Sequence, residues 1–200
     1  MATSTLREQS PRVVKWTREK YLRMAEMGLF DDVKVELIYG EIIEKMGMNP
    51  PHAWVLEFLH GALIQIFAAQ NGYRVRCQSP FLAADESLPE PDLLVARGER
   101  NAFQASHPSS AVLVIEVSDS TLPFDLNEKA ALYAQSEVPE YWVVDVRAEV
   151  LHVHTHPIAS QSFEKGFGYQ TVTRLTKTDS ALLPEVSASL RIAEFFPSAA

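Results

Sequence analysis

The stretch VLVIEV at residues 112–117 decides the fold, because it is an almost unbroken run of β-branched and apolar residues. Such a run is typical of a strand that is buried on both faces of a sheet. A helix is predicted to follow at about residues 124–136, and a second apolar strand, YWVVDV, at residues 141–146. Strand, helix and strand in this order predict a mixed α/β sheet flanked by helices.

Ahead of this sheet, the N-terminal part of the chain predicts a helix and a hairpin. Thr17 is suited to cap a helix that ends near Gly28. Residues 33–46 contain two short strand patterns joined at Tyr39-Gly40, which is a hairpin signal. A core-packing helix is predicted over residues 51–70, beginning at a proline pair. We therefore expect an N-terminal helix-hairpin extension of the sheet.

The rest of the chain predicts further short strands and a tail. Strands are expected at residues 73–78, 91–96, 150–155 and 169–175, and the tail after residue 182 is expected to be loop with a short helix at residues 192–196. The 200 residues suit a single domain, in which residues 1–16 form a flexible or loosely packed arm.

Charge and cysteine content exclude several classes of protein. The 18 basic and 26 acidic residues leave a net charge of −8, which argues against indiscriminate binding to a nucleic-acid backbone but leaves room for a local basic groove. The single cysteine, Cys77, excludes an internal disulfide framework and a multi-cysteine zinc site. Because the N-terminus lacks the apolar segment of a secretory signal and no apolar stretch is long enough for a membrane span, we expect a cytoplasmic protein.

Two carboxylates, Asp92 and Glu116, interrupt apolar strand patterns. A carboxylate in a buried strand is costly unless it is paired, protonated or bound to a metal. A divalent cation between the two side chains would remove that cost, and oxygen ligands suit Mg²⁺ or Mn²⁺. The alternative is that Asp92 caps a turn and Glu116 pairs with an arginine.

The helix after the Glu116 strand adds a lysine to this pair. Asp125, Lys129 and Tyr133 are spaced at i, i+4 and i+8, so they share one helix face. A lysine on that face can reach the predicted cation site between Asp92 and Glu116. There its ammonium group would stabilise negative charge on a phosphate or position a water molecule. The alternative is an exposed Asp–Lys pair of little energetic value.

These motifs together resemble the PD-(D/E)xK nuclease superfamily and, more narrowly, the Uma-type family of restriction-endonuclease-like proteins. The matching segments are PD at residues 91–92, IEVS at 115–118, Asp125 to Tyr133 on the helix, and EYWVVD at 140–145, with VELIYGE at 35–41 and PH at 51–52 upstream. The resemblance extends over most of the chain from Thr17 to the C-terminus, and the order and spacing of the motifs carry it.

The resemblance implies a restriction-endonuclease-like fold and metal-dependent hydrolysis of phosphodiester bonds. Asp92 and Glu116 would hold Mg²⁺ or Mn²⁺. The superfamily places its lysine two residues after the second acid, where this chain has Ser118; in the Uma-type family the lysine is on the next helix, which Lys129 matches. Nucleic acid, DNA before RNA, is the expected partner, and a homodimer is the expected assembly.

Three further residues are predicted to support this site. Glu36 resembles an acidic residue that some members contribute as an extra ligand or as a water-positioning group, although a solvent-facing strand residue would fit the pattern equally well. His52 follows the proline pair at the start of a helix and is predicted to lie beside the ligands. Asp125 and Tyr133 would orient Lys129.

Other readings of the same residues stay open. A non-catalytic binding or assembly module on the same fold is favoured by Ser118 and by the acidic net charge. A second alternative is a small-molecule enzyme on a Rossmann-like sheet, but the chain has no glycine-rich phosphate loop, which argues against it. The alternating histidines at 152, 154 and 156 could bind zinc, but a polar strand face is the preferred interpretation. Arg97 and Arg100 are predicted to meet a phosphate near Asp92.

Overall fold

The computed structural model describes residues 13–68 and 72–197 of the chain. Residues 1–12 of the predicted arm and the predicted helix end at residues 69–71 lie outside these ranges. Within them, no helix is long and apolar enough to cross a membrane.

The predicted N-terminal helix and hairpin are both present. The elements are α1 (Arg18–Glu26), β1 (Val35–Ile38), β2 (Glu41–Glu44) and α2 (Pro50–Ala68). Thr17 caps α1, because its hydroxyl accepts the Lys20 backbone N–H at 3.3 Å. β1 and β2 pair antiparallel, and the turn between them has positive φ at both Tyr39 (50°) and Gly40 (73°), as a tight primed turn requires.

A six-stranded sheet follows. Its strands are β3 (Tyr73–Cys77), β4 (Leu93–Arg97), β5 (Leu113–Ser118), β6 (Glu140–Asp145), β7 (Val150–Ala159) and β8 (Phe167–Leu175), and they lie side by side in chain order. β5 and β6 run parallel, while the other neighbouring pairs are antiparallel. The helical crossover between β5 and β6 consists of α3 (Leu122–Phe124), a π-helical turn (Asp125–Lys129) and α4 (Ala130–Gln135). The mixed α/β fold predicted from the sequence is therefore confirmed.

The two faces of β5 serve different purposes. Leu113, Ile115 and Val117 pack into the core under α2, whereas Val114 packs on the opposite face with the residues of α4. Because side chains alternate along a strand, Glu116 shares the α4 face with Val114. Glu116, the one carboxylate of an otherwise apolar strand, therefore faces the helical crossover.

Three details differ from the sequence predictions. β4 begins at Leu93, so the predicted placement of Asp92 within the strand was wrong by one residue. The tail contains a small antiparallel pair, β9 (Ser180–Leu182) and β10 (Ser189–Arg191), where loop was predicted, and a 3₁₀ helix over Ile192–Phe195. The third is the π-helical turn, which interrupts a helix predicted as regular; such turns are frequent at functional sites.

Candidate active site

A cavity of about 100 Å³ lies between β5, the helical crossover, the start of α2 and the segment after β2. Six of the seven residues predicted for the site line it: Glu36, His52, Asp92, Glu116, Asp125 and Lys129. The seventh, Tyr133, lies behind the cavity, and its hydroxyl donates to Glu116 Oε1 at 2.7 Å. The residues that the sequence singled out are thus brought together from five elements: β1, the start of α2, the segment before β4, β5 and the helical crossover.

Asp92 accepts hydrogen bonds from two elements and faces His52 on a third. Its Oδ2 accepts the Val117 backbone N–H at 2.9 Å and lies 3.4 Å from His52 Nε2, and its Oδ1 accepts the side-chain amide of Gln78 at 3.2 Å. Burial would raise the pKa of Asp92, but His52 and the Val117 N–H outweigh it, so the pKa is lowered. Asp92 is therefore a buried carboxylate in its charged form, and the predicted alternative of a turn cap does not describe its contacts.

Glu116 lies beside Asp92 and is paired with a lysine. Its Oε1 accepts a hydrogen bond from Lys129 Nζ at 2.9 Å in addition to the one from Tyr133. No described residue donates a hydrogen bond to Oε2 of Glu116. Burial raises the pKa of Glu116, Lys129 opposes this rise, and Asp92 adds to it. The alternative in which Glu116 pairs with an arginine is wrong.

Lys129 is the ammonium group that contacts these carboxylates, whereas Lys45, which also lines the cavity, donates to the Glu90 carbonyl at 2.6 Å. Its Nζ lies 2.9 Å from Glu116 Oε1, 3.1 Å from Glu36 Oε1 and 4.0 Å from Asp125 Oδ1. The lysine side chain is only 6% exposed, so the predicted alternative of an exposed Asp–Lys pair is wrong. Burial would lower its pKa, but the surrounding carboxylates outweigh burial and raise it, so the ammonium stays charged.

Glu36 joins the site from the hairpin. It is 3% exposed, so the alternative of a solvent-facing strand residue is wrong. One of its oxygens contacts Lys129, and Oε2 accepts the Glu90 backbone N–H at 3.1 Å. The N-terminal hairpin is therefore part of the wall of the site.

The charges of the site do not balance. Four acidic residues, Glu36, Asp92, Glu116 and Asp125, are each at most 5% exposed, and the Lys129 ammonium group lies among them. A protonated His52 would offset one further charge; burial would lower the pKa of His52, but Asp92 and Glu116 outweigh burial and raise it. Burying uncompensated charge is costly, so this arrangement favours a bound cation or a proton.

The donor set fits a hard divalent cation held by few protein ligands. Among the described residues, no group of three or more His, Cys, Asp or Glu side chains is arranged to hold a metal ion. Mg²⁺ is commonly bound through one or two carboxylates while it keeps several waters. Two neighbouring carboxylates, one of which has an oxygen without a hydrogen-bond donor, suit this way of binding. Asp92 and Glu116 are the pair that meets this description.

Other residues at the cavity were missed by the sequence reasoning. Gln78, which contacts Asp92, has φ of 43°, a conformation that non-glycine residues rarely adopt. Asn49 Nδ2 donates to Asp119 at 2.5 Å, and Asp119 in turn accepts from Arg147 at 2.7 Å, which links the start of α2 to the loop after β5. The one signal in the sequence was the polar run of residues 118–121 directly after an apolar strand.

Two groups of predicted residues lie away from the cavity. His154 is 4% exposed and packs with the rings of Tyr141 and Tyr169, so the preferred interpretation of a polar strand face was wrong for this residue. Arg97 ends β4 at the opposite end from Asp92 and pairs with Glu185, so the prediction that it meets a phosphate at the site was wrong. Arg100 lies three residues after Arg97, beyond the same end of β4.

Comparison with known proteins agrees with the fold. A crystal structure described as a putative nuclease belonging to DUF820 from Anabaena variabilis ATCC 29413 superposes with a TM-score of 0.69 at 15% identity, covering 90% of this chain and 97% of that one. No curated protein matches the chain. The family model Uma2, described as "Putative restriction endonuclease", matches residues 18–193. Because that match spans most of the chain, including every residue of the candidate site, the protein belongs to the Uma2 family.

Proposed function

We propose that the protein is a metal-dependent nuclease that hydrolyses DNA phosphodiester bonds at the cavity containing Asp92, Glu116 and Lys129. The observation that carries the proposal is the convergence of these two carboxylates on one cavity, with the Lys129 ammonium 2.9 Å from Glu116. Membership of the Uma2 family supports a nuclease, and DNA is the substrate that its family description favours.

Asp92 and Glu116 would hold Mg²⁺ or Mn²⁺ through Asp92 and the unengaged Oε2 of Glu116. Such an ion lowers the pKa of a bound water and polarises a phosphorus–oxygen bond. Asp92 is prepared for this role because the Val117 N–H and Gln78 fix its two oxygens in position. Tyr133 does the same for Glu116, because its hydroxyl fixes Oε1.

Lys129 would supply the positive charge that the transition state requires. A phosphate entering the cavity gains negative charge at its non-bridging oxygens during hydrolysis, and a positioned ammonium group stabilises that charge. Glu36 and Asp125 keep Lys129 protonated and hold it in place, so we propose them as positioning residues. Lys129 thereby serves in place of a lysine at position 118, where this chain has a serine.

Cleavage of DNA tests the proposal. Purified protein is incubated with supercoiled plasmid, single-stranded DNA and RNA, in Mn²⁺ and in EDTA, beside the Asp92→Asn variant. We expect cleavage of DNA in Mn²⁺ by the wild type alone. Cleavage that Asp92→Asn retains would refute the site.

A non-catalytic binding or assembly module is the second candidate. It is favoured by the contacts of Lys129, since three carboxylates already surround its ammonium group. This candidate predicts that Mn²⁺ binds without any cleavage on the full panel. A homodimer, which sedimentation velocity would detect, and a cytoplasmic location stay predictions.

A further inference from the structure

A second groove, of about 480 Å³, lies next to the candidate site. The two share a wall made of residues 45–48, the segment between β2 and α2, together with Gln78. Gln78 contacts Asp92 on one side and lines the groove on the other. A polymer with a reacting group at Asp92 would therefore extend directly into this groove.

The groove wall combines aromatic and thioether side chains with a free cation. Phe30 lines the groove and stacks on Tyr21 with ring centroids 5.4 Å apart; Tyr21 is only 6% exposed, so Phe30 is the aromatic side chain of the pair that a ligand could reach. Met46 and Met48 are 67% and 47% exposed, which leaves unusually large apolar side chains open to solvent. Lys34 also lines the groove, is exposed, and forms no ion pair with any described residue.

This chemistry is suited to a nucleobase rather than to a phosphate alone. Aromatic side chains and polarisable methionines offer flat, adaptable surfaces, and bases stack on such surfaces with little dependence on sequence. A lysine at the edge of the groove would meet the next phosphate along the strand. The acidic cavity, by contrast, is lined mainly by charged and polar side chains, with Phe124 and the shared Met46 and Met48 among its apolar ones.

We propose that the groove binds a base adjacent to the scissile phosphate, so that the preferred substrate is single-stranded or frayed DNA. This inference rests on the proposed function, because it assigns the position of the scissile phosphate to the Asp92 cavity. The acidic residues there are at most 5% exposed. In an intact duplex a base reaches a recessed pocket only after unpairing and unstacking, which costs free energy, whereas a single strand avoids most of that cost.

Binding to three oligonucleotides tests the proposal. The Glu116→Gln variant, which should bind but not cleave, is titrated with a fluorescent single strand, the same strand carrying abasic positions, and the corresponding duplex. We expect at least tenfold tighter binding of the intact single strand than of the other two. Phe30→Leu, added to that variant, should weaken single-strand binding roughly fivefold or more, as loss of base stacking does, and should leave abasic binding unchanged.

One control variant and a second groove variant separate the groove from general effects. Phe58→Leu changes a partly buried aromatic side chain on α2 outside the groove and should leave all three affinities unchanged. Lys34→Glu alters an exposed side chain that makes no ion pair with the described residues, so it should weaken single-strand binding without affecting folding.

The outcomes distinguish this inference from the proposed function. Equal affinity for intact and abasic strands, or duplex binding as tight as single-strand binding, would overturn the inference, even if the wild type cleaves DNA in Mn²⁺. Base-dependent binding that Phe30→Leu weakens would support the groove, even if no cleavage occurs and the nuclease proposal fails.

Discussion

Replacing Lys129 with methionine should show how much the buried charges depend on this one ammonium group. Methionine keeps most of the side-chain volume, so the change removes charge and hydrogen bonds rather than packing. The Nζ atom lies within 4.0 Å of three carboxylates, those of Glu36, Glu116 and Asp125. Removing one partner from a buried charge network typically costs about 3–5 kcal/mol of unfolding free energy, and we expect a loss in that range at pH 7 without metal.

The double variant Lys129→Met/Glu116→Gln should recover part of this loss. It removes one carboxylate together with the ammonium, so a coupling energy of about 1–3 kcal/mol is expected between the two positions. Glu36 and Asp125 stay without their cation, which is why recovery should be incomplete. Glu116→Gln alone should leave stability unchanged or raise it, because Lys129 keeps two carboxylate partners.

Urea unfolding in EDTA measures all four proteins. Lys165→Met is the matched control, because that ammonium lies 3.0 Å from Glu128 but is 38% exposed, and its loss should cost less than about 1 kcal/mol. The loss in Lys129→Met should shrink as pH falls from 8 to 5. Lys129 holds the pKa of Glu116 down against the rise that burial causes, so without Lys129 that pKa rises further and the folded variant takes up a proton at a higher pH than the folded wild type does. A loss below about 1 kcal/mol, independent of pH, would refute the charge network.

Two further predictions concern metal binding at Asp92 and the buried His154. Mn²⁺ at about 100 times its Kd should add about 2.7 kcal/mol to the free energy of unfolding of the wild type and raise its Tm, and Asp92→Asn should abolish this rise. An equal rise of the Tm in both proteins, measured by scanning fluorimetry, would place the ion elsewhere. Burial lowers the pKa of His154 from 6.5 to about 4. Between these two pH values the unfolded chain binds a proton at His154 and the folded chain does not, so the free energy of unfolding falls by up to about 3 kcal/mol as the pH decreases from 6.5 to 4. In His154→Phe this part of the acid sensitivity should be absent from urea midpoints measured between pH 7 and 4, and an unchanged pH profile would contradict the assignment.

The sequence was most informative where one short pattern specifies one local structure. Tyr39-Gly40 predicted its turn because Gly40 accepts positive φ without steric cost, whereas the positive φ of Tyr39 is unusual for a bulky residue. Glu116 was conspicuous because a charge within a strand buried on both faces needs a partner, and the structure supplies Lys129. The pairing of the carboxylates with the helix lysine followed from the motif order and from helix spacing.

Features that depend on three-dimensional context were missed. Arg97 lies only five residues after Asp92, but an extended strand carries it about 16 Å away at roughly 3.3 Å per residue. The strands β9 and β10 have three residues each, too few for an alternating pattern to register. Gln78 carries no signal at all, because its contact with Asp92 depends on strand pairing and on a left-handed backbone conformation.

Cleavage by Lys129→Met, measured beside the wild type in Mn²⁺, tests the central claim most directly. The account predicts that single-turnover cleavage of DNA falls roughly 10²–10³-fold, as the loss of one positioned electrostatic group does. The Mn²⁺ affinity should not fall, because Lys129 acts on the phosphate rather than on the ion, and Lys165→Met should cleave at the wild-type rate. Equal cleavage rates in the wild type and Lys129→Met would contradict the account.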